Sequence, residues 1–171
     1  MEGIAPKPMP AHALLARYAG DGGYADCYAA DLPGQFSHAE FVAAFYTTWL
    51  FKLERALLKF LVRRPSTDGE AQQLARGQRE SFAAWTVEAR APNQLLLRDF
   101  IGNTRSWLMV ESAPGGGATR LYFGSAIVPR VDPRSGTKKL GASFHVLLGF
   151  HKRYSRALLS AARTRLQLTC C

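Results

Sequence analysis

Two kinds of chemistry are open to this 171-residue chain, and each rests on a handful of side chains. The first is proton transfer. His151 is an imidazole set among apolar residues, and Asp99 is a carboxylate able to orient it, so these two are the candidate catalytic residues. The second is recognition of a flat, anionic ligand. Trp85, Trp107 and Phe100 share a short stretch with Arg98 and Arg105, and a guanidinium both stacks on rings and grips a carboxylate through two hydrogen bonds. His151, Tyr122 and Tyr154 join that candidate ligand-binding set. Structure alone accounts for the same residues in another way: a surface ion pair of Asp99 with Arg98 or Arg105 near a tight turn, and a core histidine held by a hydroxyl or a carbonyl.

Other catalytic patterns are missing from the sequence. There is no Gly-x-Ser-x-Gly elbow. The run Pro114-Gly115-Gly116-Gly117 follows a strand but precedes no helix start and no Gly-Lys-Ser/Thr, so it reads as a hairpin tip rather than a phosphate cradle. Cys27, Cys170 and Cys171 have neither zinc-ligand spacing nor a disulfide framework, and none has a nucleophile's surroundings. The terminal Cys170-Cys171 pair resembles a prenylation ending, but no nucleotide-binding motif accompanies it, and it reads as a tail feature. No metal and no cofactor is expected, and a reducing cytoplasm is the expected compartment.

Composition narrows the class. An apolar fraction of 47% excludes disorder and collagen, and no uncharged apolar run reaches the roughly 18 residues needed to span a bilayer. Residues 1–10 contain three prolines and no apolar run, which argues against a secretory signal there. The formal net charge of +9 is uneven: residues 133–171 hold eight basic side chains and no acidic one. Such a face suits nucleic acid or an anionic membrane through Lys152, Arg156 and Arg163, or simply solvates a helix. No zinc-finger spacing, RNP signature or Gly-x-x-Gly clamp favours nucleic acid.

The elements that must position these residues follow from period and punctuation. A short strand is expected over 24–32, ended by Pro33-Gly34. Ser37 with Glu40 forms a capping box that opens an amphipathic helix over 38–63, ended by Pro65. Phe51, Leu58 and Val62 fall off its main apolar arc and suit packing against a second element or a homodimer contact. Thr67 with Glu70 repeats the box for a short second helix. The period then changes to two, and strands are expected over 82–90, 94–101, 104–112 and 119–128. Their connections are too short for parallel crossovers, so they form an antiparallel meander. A loop over 129–137 leads to a last helix over about 139–167. At about 100° per residue, that helix separates a basic face containing His145 from an apolar face containing His151 and Ser155. The chain reads as one domain, 1–171, with tails at 1–17 and 168–171.

Two-residue turns at 92–93 and 102–103 set the expected register. One sheet face then carries Trp85, Val87, Leu96, Arg98, Phe100, Arg105, Trp107 and Met109. The other carries Thr86, Glu88, Leu95, Leu97, Asp99, Ser106, Leu108 and Val110. Both are half apolar, so either can face the helices, and a one-residue bulge would exchange them downstream. The first face inward favours the anionic ligand; the second pairs Asp99 with His151.

This order of elements, α+β with two N-terminal helices, a curved antiparallel meander and a long C-terminal helix across it, resembles the helix-grip fold of START-like, polyketide-cyclase-like (SRPBCC) proteins. More narrowly it resembles a bacterial domain-of-unknown-function family of that superfamily. The resemblance is carried by Tyr24-Ala25-Asp26-Cys27-Tyr28, Leu53-Glu54-Arg55-Ala56-Leu57-Leu58 and Phe150-His151-Lys152-Arg153-Tyr154, and covers about residues 18–165. One strand before the helices and four after are fewer than larger members have. The resemblance implies a hydrophobic cavity between helix and sheet that holds an apolar or aromatic small molecule, with a cyclase- or hydratase-like step as its catalytic version. The alternative is an interaction protein that uses its basic C-terminal helix.

Overall fold

A computed structural model describes residues 3–20, 23–61, 65–128, 130–131, 138–139 and 144–169, and the backbone alone for 57–61, 130–131, 138–139 and 144–150. Strands β1 (Ala5–Pro6), β2 (Tyr24–Pro33), β3 (Ser81–Phe82), β4 (Trp85–Ala91), β5 (Gln94–Asp99), β6 (Thr104–Ser112) and β7 (Ala118–Ile127) form one sheet in the order β1-β2-β7-β6-β5-β4-β3. Every pairing is antiparallel, as the short connections from β3 to β7 require of that meander. A separate two-stranded ribbon joins β8 (Arg130–Val131) to β9 (Lys138–Lys139). Four α-helices are described: α1 (His38–Tyr46), α2 (Trp49–Leu61), α3 (Asp68–Ala75) and α4 (Phe144–Thr169). The class is α+β.

Both capping boxes form as read. Ser37 accepts the Glu40 N–H at the start of α1, Thr67 accepts the Glu70 N–H at the start of α3, and each glutamate returns the bond. The single helix over 38–63 is corrected to two. Thr47 and Thr48 break it because their hydroxyls donate to the carbonyls of Ala43 (2.7 Å) and Phe45 (3.0 Å), closing α1. Thr48 Oγ1 also accepts the Phe51 N–H at 3.2 Å and caps α2. The break resets the helical phase. Phe51, off the apolar arc of a continuous helix, packs in the core at 2% exposure, whereas Trp49 and Leu53, which that continuous helix would place on its apolar arc, are 68% and 59% exposed. Val62 and the Leu58 side chain lie outside the described residues. Arg55, which a continuous helix would place on its polar face, is buried against α3: it donates to Ser66 Oγ (2.9 Å), Ser66 O (2.5 Å) and Asp68 Oδ1 (2.6 Å). The last helix starts at Phe144, later than read, because Lys138–Lys139 belong to the ribbon.

Both sheet faces are covered, by different parts of the chain. On one, Leu95, Leu97, Leu108, Val110, Leu121 and Phe123 pack against Phe41, Phe45 and Tyr46 of α1 and Leu158, Leu159 and Ala162 of α4. On the other, Leu96, Trp107, Met109 and Tyr122 pack against the N-terminal segment, whose 3-10 helix (Leu14–Tyr18) buries Leu15 completely. The reading of 1–17 as a tail is therefore corrected. Buried Gln94 fastens the segment, accepting the Leu14 N–H (2.8 Å) and Trp107 Nε1–H (2.9 Å) and donating to His12 O (3.1 Å). At the chain's other end Leu168 is 73% exposed, and Cys170 and Cys171 lie outside the described residues.

A bulge at Glu88 changes the register, so that Val87 pairs with Leu97 but Ala89 with Leu96. It turns Trp85 and Val87 to the helix side, away from the strand-mates expected beside them. The β5–β6 connection is also longer than the two-residue turn expected at 102–103, since Arg98 pairs with Arg105; in the β4–β5 pair Trp85 stands opposite Asp99.

Candidate functional site

A cavity of about 540 Å³ opens between α2, α4 and the helix-covered sheet face. Its wall is mostly apolar: Phe45 from α1, Leu50 and Phe51 from α2, Trp85 from β4, Phe123 from β7 and Leu158 from α4. Exposed Leu53 and Phe100 (48%) also line it. Small-molecule sites have this size and this apolar character, with a few polar groups placed among them.

The polar groups come from three places. The first is a relay beneath α4. Asp26 and Ser125 face each other across β2 and β7. Asp26 Oδ1 accepts the Ser125 N–H (3.1 Å) and the Ser125 hydroxyl (2.7 Å), and its Oδ2 accepts the Tyr24 hydroxyl (3.0 Å). His151 Nε2 stands 2.6 Å from Ser125 Oγ and 3.8 Å from Asp26 Oδ2. A serine hydroxyl has one proton. It goes to Asp26, so His151 Nε2–H is the donor to Ser125 Oγ. Tyr24 meets the imidazole edge-on, with ring centroids 6.2 Å apart.

The second group is Glu54 with Tyr154, whose hydroxyl donates to Glu54 Oε2. Burial pushes the Glu54 carboxyl above the usual carboxylate range, against the pull of Tyr154 and the Trp85 indole N–H. Burial and the neighbouring carboxylate push the Tyr154 phenol up as well. The third is Ser155, 1% exposed, which lines the cavity with a buried hydroxyl that has no hydrogen-bond partner among the described residues.

His151, Trp85, Tyr154, Asp99 and Phe100 all line this one cavity. Asp99 does not join His151, however: its Oδ1 accepts the Thr104 N–H at 3.1 Å, and the carboxylate at the imidazole is Asp26. The aromatic–arginine cluster is divided by the sheet. Trp107 and Tyr122 pack together on the far face, centroids 6.0 Å apart. Arg105 reaches the cavity wall, but its guanidinium lies on Glu88 (2.6 Å), Gly102 O (2.7 Å) and the Tyr18 ring (4.8 Å). Arg98 is exposed and away from the cavity. The reason is the bulge at Glu88 and the longer β5–β6 turn, neither of which turn-residue counting reveals.

Sequence reading missed Asp26, Ser125, Glu54 and Ser155 as site residues. A signal existed for Asp26: in a two-residue period it shares the face of Tyr28, Ala30 and Leu32, where a carboxylate is out of place without partners. Glu54 had none, because its phase depends on the break at Thr47–Thr48.

Chemically, the relay runs imidazole to hydroxyl to carboxylate. Nucleophilic catalysis needs the imidazole between the other two, taking the hydroxyl proton. Here Asp26 holds that proton and Ser125 is 3% exposed, so the relay makes a fixed polar floor rather than an activated nucleophile. Among the described residues no three His, Cys, Asp or Glu side chains gather as metal ligands, and no helix is long and apolar enough to cross a membrane. Compared with known proteins, the chain matches no family model and no curated sequence.

Proposed function

We propose that this protein binds an apolar or aromatic small molecule in the cavity between α2, α4 and the sheet, in the manner of START-like helix-grip proteins. The observation that carries the reading is the buried Ser155 hydroxyl, unpartnered among the described residues, in a largely apolar cavity of about 540 Å³. A polar atom left unpaired in the interior costs about 1–3 kcal/mol, and a bound molecule with one polar group removes that cost. The element order supports the helix-grip reading: an antiparallel sheet with α4 closing one face against β2, β7 and α1. Titration with the neutral probe 1-N-phenylnaphthylamine tests it. Saturable fluorescence enhancement is expected for the wild type, and its loss in Ser155→Leu, which fills the cavity. No saturable binding by the folded wild type, or equal binding by the filled variant, overturns the proposal.

A second reading draws on Lys152 and Arg156, which reach over the Tyr24 (5.9 Å) and Tyr28 (5.5 Å) rings beside a groove that includes Lys7. This basic face would take a polyanion. Its affinity would then fall steeply with salt and vanish on charge reversal of Lys152, Arg156 and Arg163. Absence of polyanion binding at low ionic strength ends that reading.

A further inference from the structure

The charge lining the cavity specifies more than an apolar occupant. Glu54 and Asp99 both line it, and neither has a cationic partner among the described residues. The guanidiniums that would welcome an anion are engaged elsewhere: Arg105 on Glu88 across the sheet, Arg55 on Asp68 and Ser66. The imidazole of His151 gives its Nε2 proton to Ser125. A cation entering the cavity therefore meets two carboxylates and the ring of Trp85, whose face also attracts positive charge. An anion meets repulsion. Ser155 Oγ, 1% exposed on the same wall and unpartnered among the described residues, adds an acceptor for an N–H donor.

We infer that the cavity selects an apolar molecule carrying an amine, held as its ammonium form by the carboxylates of Glu54 and Asp99 with Ser155 as a further acceptor. This rests on the binding role proposed above and deepens it by naming the head group. No bond forms or breaks.

The test is displacement of 1-N-phenylnaphthylamine at neutral pH by three probes of one chain length: octylamine, octanol and octanoate. Octylamine should displace the probe at a concentration at least about tenfold below octanol, which corresponds to about 1.4 kcal/mol, and octanoate should be weakest. Glu54→Gln should shrink the ratio of amine to alcohol affinity several-fold. If that variant fails to fold, Asp99→Asn supplies the same readout. Equal displacement by all three probes, preference for octanoate, or a ratio untouched by the substitution overturns the amine assignment while leaving an apolar cavity in place. Failure of the naphthylamine itself to bind overturns both proposals together.

Discussion

Asp26 is a carboxylate at the edge of an apolar layer, and its tolerance there comes from donors that include the Ser125 N–H, the Ser125 hydroxyl and the Tyr24 hydroxyl. Asp26→Ala leaves those donors unpaired and should lower unfolding free energy by about 2–3 kcal/mol in denaturant titration, with Asp26→Asn costing clearly less. His151→Phe removes one bond at a half-buried ring and should cost only about 1 kcal/mol. Two other groups give stability a pH dependence of opposite sign. Burial lowers the His38 imidazole from 6.5 to about 4, so the unfolded chain takes up that proton first and stability is lost as pH falls through this window. Glu54 is raised above its ordinary 4.5, so the unfolded chain releases that proton first and stability is lost as pH rises above that value. Unfolding midpoints followed between about pH 4 and 8 should show His38→Gln removing the acid-side loss and Glu54→Gln gaining on wild type toward neutrality.

At the scale of elements, positions with no chemistry of their own decide where the site residues point. Thr48 ends one helix and caps the next, and Thr48→Ala should cost about 1 kcal/mol, restored by Thr48→Ser. Arg55 joins α2 to the start of α3 through a fork of three bonds, one of them to a backbone carbonyl. Lysine cannot reproduce the fork, so Arg55→Lys should cost about 1–3 kcal/mol. Gly124 admits no side chain: a Cβ there would lie 2.7 Å from Asp26 O, 2.8 Å from Leu15 and 3.0 Å from Trp107. Gly124→Ala should therefore cost about 1–3 kcal/mol and, by shifting the Asp26 backbone, weaken probe binding as well. Much at this scale was legible beforehand. The capping boxes at Ser37 and Thr67, the antiparallel meander and the inward phase of His151 on α4 each follow from a local rule. What was not legible depends on competition between elements. The hydroxyls of Thr47 and Thr48 defeat an otherwise continuous apolar period, and the bulge at Glu88 moves Trp85 to the opposite side from Trp107. The N-terminal segment, rich in proline and poor in period, docks through Gln94, a bond set that no sequence pattern announces.

For the molecule as a whole, the sheet is a partition. One side, beneath α1 and α4, carries the cavity and its polar groups; the other, beneath residues 12–18, is a second packed layer around Trp107. That division separates the two chemistries that composition alone left superimposed: Glu54 and Asp99 line the cavity, Arg98 lies away from it, and Arg105, though on its wall, is engaged by Glu88. It also provides an internal control, because the chain has aromatic reporters on both sides. Intermolecular nuclear Overhauser contacts from bound 1-N-phenylnaphthylamine locate the ligand directly. A cavity that binds apolar molecules predicts contacts to Trp85, Phe51 and Leu158 and none to Trp107 or Tyr122. Contacts confined to Trp107 and Tyr122, or none to any of the five from a probe that binds, would contradict it.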